Sequence, residues 1–116
     1  MAKLIGLTIK GAGGLDSPAD PRFGRAGAFL VIDIEKMEVV AELKNTAIEA
    51  AHGAGTGAAV LMNDNKVEAV ISGAFGPKAS QALEGFGIEM WLTPEGLTAK
   101  EVLDKFSAGT LKQMKS

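Results

Sequence analysis

Two arginines stand three residues apart in "DPRFGRAGAF" (Asp20 to Phe29), around a Phe-Gly pair and just ahead of an apolar run. A turn needs Pro and Gly but has no use for two guanidinium groups. Guanidinium is a permanently charged planar fork, suited to anions with several acceptor atoms. Two further donors lie in glycine-rich stretches, His52 in "HGAGTG" and Lys78 in "SGAFGPKA". Glycine lets backbone N–H groups come close to a ligand. The chemistry these types suggest is recognition of a polyanion.

Each feature also has a plainer explanation. Arg22 and Arg25 could bond loop carbonyls, or pair with the loop carboxylates of Asp16 and Asp20. His52 could ligate a metal through a neutral ring nitrogen, donate a hydrogen bond to a ligand, or be a solvated loop residue; one histidine cannot build a metal cage. "GAGTGA" (Gly53 to Ala58) matches the dinucleotide fingerprint in form only. A loop of about ten residues separates it from the preceding strand, and "VEAVIS" ends without the acid that would bind a ribose. "GAFGPKA" could be a simple strand-to-helix turn. Lys78 in its first helical turn opposes the helix dipole, a small cost that a nearby anion would remove.

Composition narrows the field. The 116 residues contain no Cys and one His, which sets aside thiolate catalysis, disulfides and Cys- or multi-His-held metals. The net charge of −2 gives no overall basic field for nucleic acid. No apolar run approaches the ~20 residues of a membrane span. The N-terminal "MAKLIGLTIKG" has no small-residue cleavage site and reads as a strand, so the expected location is cytoplasmic. Hydrophobic content of 47% and charged content of 22% are those of one ordinary globular domain over 1–116.

The elements must carry the donor loops to one place. "KLIGLTI" is a strand buried on both faces. "AFLVIDI" and "MEVVAEL" flank "EK" and predict a tight hairpin. A short Ala-rich helix follows over "TGAAVLMND", then the strand "VEAVIS". Pro77 opens the next helix, with Ala79, Ala82, Leu83 and Phe86 at helical spacing and Gly85 or Gly87 as its stop. "IEMWLT" is a strand, and "TAKE" is a capping box ahead of Ala99, Val102, Leu103 and Phe106. Gly109 ends that helix, and the Lys-rich tail reads as frayed. The β-β-β-α-β-α-β-α order predicts an α/β fold. Its five-stranded mixed sheet has order 3-2-1-4-5, with helices on both faces.

In such a sheet ligands bind at the carboxyl ends of the parallel strands. The glycine-rich loops 10–26, 45–57 and 73–78 all arrive there, together with the helix starts near Gly55 and Pro77. A two-metal nuclease is set aside, because its carboxylates are absent from that edge: strand one has none, strand four ends in Ser72, and Asp33 and Glu35 fall at the opposite end. A sensor or interaction domain for a phosphate-bearing metabolite or a protein partner would use the same donors and stays open.

The segments "SPADPRFGRAGAFLVID", "HGAG", "VEAVISGAFGPKASQALEGFGIEMW" and "TAKEVLDKFSAGTL", in this order, resemble the dinitrogenase iron–molybdenum cofactor-binding family, with its NifX-like members and NifB carboxyl-terminal domains. The resemblance spans nearly the whole chain and implies a ribonuclease H-like three-layer fold. It implies a carrier and not an enzyme. The cargo would be an anionic metal–sulfur cluster bound without cysteine: molybdenum–copper–sulfide, as in stand-alone members, or another molybdenum or iron–sulfur cluster. A cluster donor or acceptor protein would be its partner. By motif match the lining would comprise Arg22, Phe23, Gly24 and Arg25, then His52, Gly53 and Gly55, then Gly73, Gly76 and Pro77, with Lys78 beside them. Phe23 and Phe75 would shield a sulfide surface from water, whereas Met62, Met90 and Trp91 read as core.

Overall fold

The structure, a computed structural model, describes residues 4–11, 13–45 and 54–114. Strand β1, Leu4–Ile9, lies at the middle of the sheet and is almost entirely buried. It pairs antiparallel with β2, Ala28–Asp33, and parallel with β4, Ala69–Ser72. Strand β3, Glu38–Lys44, flanks β2, and β5, Glu89–Leu92, flanks β4 in parallel. The order β3-β2-β1-β4-β5 is the one expected from the alternation of elements.

Among the described residues three α-helices cover the two faces. On one side α1, Ala54–Asp64, and α2, Pro77–Phe86, bring Ala58, Met62, Ala79 and Leu83 onto Phe29, Val31 and Val70. On the other side α3, Ala99–Ser107, lays Val102 and Leu103 on Ile5, Leu7, Leu30 and Ile71. The alternation along β1 and β2 therefore feeds two cores, as a doubly covered sheet requires. Each wholly buried Leu or Ile contributes about 1.5–3 kcal/mol of transfer free energy.

Three expectations are corrected. Among the described residues the sheet has six strands and not five: β6, Lys112–Met114, pairs antiparallel with β5, placing Met114 opposite Met90 and Lys112 opposite Leu92. Leu111, 8% exposed, anchors it in the α3-side core, so the stretch read as a frayed tail is a strand up to Met114. Three residues are too few to display a period. The hairpin turn is also longer than "EK". Its last pair is Asp33 with Glu38, and the Asp33 carboxylate accepts the N–H groups of Glu35 at 3.0 Å and Lys36 at 3.2 Å. Met37 takes a left-handed conformation there, φ 56°. Finally, α1 begins at Ala54, ahead of the expected Thr56.

The capping box is present: the Thr98 hydroxyl accepts the Glu101 N–H at 3.3 Å and Glu101 Oε1 accepts the Thr98 N–H at 2.9 Å. Gly87, in the left-handed conformation with φ 76°, closes α2. The long 10–26 segment is less loose than a loop. It contains a 3-10 turn, Gly14–Asp16, and bridges Ile9 to Ala19 and Pro18 to Thr98.

Candidate functional site

The carboxyl ends of β1 and β4 carry two loops, 20–27 and 73–76. Asp20 begins the first and is stitched to β1: its N–H donates to the Thr8 carbonyl at 2.9 Å, and its own carbonyl accepts the Thr8 hydroxyl at 2.7 Å. Ser72 at the end of β4 joins through a 3.1 Å bond with that hydroxyl. The Asp20 carboxylate then accepts the Arg22 N–H at 2.9 Å, an Asx turn that sets the direction of the loop. Phe23 plunges into the core, 1% exposed, with its ring 5.5 Å from Phe29 and 5.3 Å from Phe75. Asn45, at the end of β3, donates from Nδ2 to the carbonyls of Gly24 at 3.1 Å and Ala26 at 2.9 Å. With Phe23 pointing in and the backbone held, Arg22 and Arg25 on either side face outward and are exposed.

The second loop packs on the first through backbone. Phe23 N–H donates to the Ala74 carbonyl at 3.1 Å. A Cβ on Gly73 would come within 2.8 Å of Pro21 Cα and 2.9 Å of its carbonyl oxygen. Gly27 closes the first loop equally tightly, where a Cβ would fall on the Lys10 carbonyl. Neither position tolerates a side chain without a shift of backbone.

Between the loops lies a cavity of about 610 Å³, lined by residues 22–25 and 74–79. Its walls are apolar, from Phe75, Ala74, Pro77 and the buried Ala79, with Phe23 beneath. Three cations, Arg22, Arg25 and Lys78, stand at exposed positions on its lining. The start of α2 is part of the same wall. Its N-cap is Gly76, no side chain caps it, and its first turn holds no acid. The amide hydrogens at a helix start attract anions, and here no side chain of the helix answers them. Helix α3, with its full capping box, shows the alternative.

Most of the predicted residues meet in this cavity: Arg22, Phe23, Gly24, Arg25, Phe75, Gly76 and Lys78 all line it. Gly73 lies behind the lining as a packing contact. Gly55 is in the first turn of α1. His52 and Gly53 lie outside the described residues. Phe23, set apart from the core residues by the sequence, is itself a core residue, and from there it forms the floor of the cavity. Of the two carboxylates expected to meet the arginines, Asp20 does so, 3.6 Å from Arg22 Nε. Asp16 sits exposed in the 3-10 turn. Asn45 escaped the sequence reading. An asparagine after a strand signals only a turn, and its reach to residues 24 and 26 appears once β2 and β3 are in register.

Among the described residues no group of three His, Cys, Asp or Glu could hold a metal ion. Asp33 pairs with Leu4 at the far end of the sheet, away from the cavity. No helix of the described residues is long and apolar enough to cross a membrane.

Known proteins resemble this chain in sequence and fold. The family described as dinitrogenase iron-molybdenum cofactor matches residues 3–109. The structure is similar to the apo form of the orange protein from Desulfovibrio gigas, with a TM-score of 0.91 and 35% identity over 98% of this chain and 94% of that one. It is also similar to a candidate NifB protein from Thermotoga, assigned to the DUF35 family, with a TM-score of 0.83 and 31% identity over 97% and 93% of the two chains. An uncharacterized protein of Methanocaldococcus jannaschii is 36% identical over 73 residues, which is 61% of this chain and 62% of that relative's length. Both cavity loops fall inside the matched 3–109 region, and the chain belongs to the dinitrogenase iron-molybdenum cofactor family.

Proposed function

We propose that this protein binds and carries, without covalent attachment, an anionic molybdenum-containing metal–sulfur cluster in the cavity between the two loops. The cluster is of the molybdenum–copper–sulfide or iron–molybdenum cofactor kind. The observation that carries the reading is the pairing of an apolar wall with a cationic rim. Phosphate is strongly hydrated and loses much on entering an apolar surround unless every oxygen finds a donor. Sulfide faces are soft and polarizable, so Phe75 and Pro77 suit them, while Arg22, Arg25 and Lys78 answer the net charge. A volume of about 610 Å³ is within the range of small-ligand sites, roughly 300–1,000 Å³. With no Cys in the chain, no protein thiolate takes part in holding the cluster.

In this reading Gly24 and Gly76 give backbone access, and His52, Gly53, Gly55 and Gly73 enter through motif match alone. The role is that of a carrier with a donor or acceptor protein as partner, and no residue is assigned to catalysis. The strand order 3-2-1-4-5 with an antiparallel β2 supports assignment to the ribonuclease H-like class.

The test is anaerobic purification from the source, with a visible spectrum and elemental analysis, and titration with tetrathiomolybdate and copper. Replacing both arginines, Arg22→Ala with Arg25→Ala, should leave far-UV circular dichroism unchanged and weaken uptake. Each lost charge-assisted contact is worth about 1.5–3 kcal/mol. Equal uptake by the double variant sinks the site assignment. A colourless protein that ignores thiomolybdate but binds phosphate-bearing metabolites favours the sensor reading instead.

A further inference from the structure

We infer that the Asp20 carboxylate is a built-in competitor for the cargo, so that loading exchanges one anion for another at the Arg22 guanidinium. This rests on the reading of the cavity as an anion site.

The two partners differ in freedom. The side chain of Asp20 is 4% exposed and that of Arg22 is 65% exposed. Asp20 is fastened to β1 through both its N–H and its carbonyl. Its carboxylate is also committed to the Arg22 N–H at 2.9 Å. The carboxylate therefore stays in place, while the guanidinium, 3.6 Å away at Nε, is free to turn. Among the described residues these two groups of Arg22 are what the Asp20 carboxylate meets.

An anion entering the cavity draws the guanidinium toward itself. Any loosening of the pair leaves a buried carboxylate short of its countercharge, and that cost is subtracted from the affinity for cargo. A contact at Nε does not use up the five N–H donors of the fork, so Arg22 can begin to meet the cargo before it leaves Asp20. On departure of the cargo the guanidinium returns to a partner already in position. Asp20 thus sets how readily the cluster leaves, acting through Arg22.

Asp20→Asn tests this. The amide keeps the shape and an acceptor oxygen for the Arg22 N–H but loses the charge. Titrated with tetrathiomolybdate, the variant should bind about tenfold tighter than wild type and release more slowly, the size of one charge interaction at a half-exposed site. In an Arg22→Ala background the same replacement should gain less than about twofold, because its route is gone. Unchanged or weaker binding by Asp20→Asn overturns the inference, and so does a full gain without Arg22. Wild-type protein that takes up no thiomolybdate overturns the reading of the cavity and this inference with it. Should Asp20→Asn fail to fold, the Arg22 Nε–H resonance of wild-type protein decides. It must shift when thiomolybdate is added, and an unmoved resonance overturns the exchange.

Discussion

Gly73 and Gly76 stand three residues apart in one loop and answer to different demands. Gly73 is required by the chain itself, since any Cβ would collide with the backbone of Pro21. Gly76 is not: its φ of −73° and ψ of 166° suit any residue, and no atom lies within 4 Å of the Cβ position. Those angles are also the N-cap geometry that serine favours. A serine there would answer the first-turn amides of α2 with its own hydroxyl, and glycine has no side chain to do so. Gly76→Ser should therefore hold or raise stability, by a few tenths of a kcal/mol. It should also weaken thiomolybdate binding, by filling the mouth and engaging those amides. Thermal unfolding and a binding titration on the same preparation check the pair of signs; tighter binding would show that the helix start does not face the cargo. The cations of this site were legible because arginine and lysine announce charge wherever they fall. Asn45 was not, because its bonds to Gly24 and Ala26 depend on the β2–β3 pairing.

Elements were legible in proportion to the length of their signal. The apolar runs of β1 and β2 and the stripe of α3 could be read directly, and so could the "TAKE" box. Hairpin geometry could not, because the four-residue turn depends on the Asp33 carboxylate and on a left-handed Met37. The β2–β3 register also shifts between Val31 and Ile32. The two helix starts then divide labour at this scale. Helix α3 is capped by its own residues and bridges to the 10–26 segment, where Ala99 N–H donates to the Ser17 carbonyl at 2.8 Å. Its start is a structural joint on the face opposite α2. Thr98→Ala should cost about 1 kcal/mol of unfolding free energy. Cluster uptake should be unchanged, because the cavity lies against α2 and not α3. A denaturant titration with a parallel binding assay tests this, and lost uptake at full stability would tie α3 to the site.

At the scale of the molecule, the sheet separates the two cores that hold the fold from the loops that form the cavity. One loop leads into β2 and is stitched to β1 through Asp20, and the other follows β4. The central pair β1 and β4 is flanked on each side. The last strand is the reverse case, a three-residue edge whose neighbour β5 carries the buried Met90. Truncation after Thr110 removes β6 together with Leu111, which packs in the α3-side core. The loss of that side chain alone is worth about 2–5 kcal/mol. It also leaves the outer side of β5 without its hydrogen-bonded partner, and an open edge invites pairing with other chains. The shortened protein should melt several degrees lower and associate as its concentration rises, as seen by scattering. Its affinity for tetrathiomolybdate should stay within about twofold of the full chain at temperatures where it is folded, since sites joined only through a rigid core act additively. A large loss of affinity in a folded, monomeric truncation would mean that the sheet transmits strain from its edge to its centre. The cavity would then be a property of the whole sheet and not of two loops stitched to its middle strands.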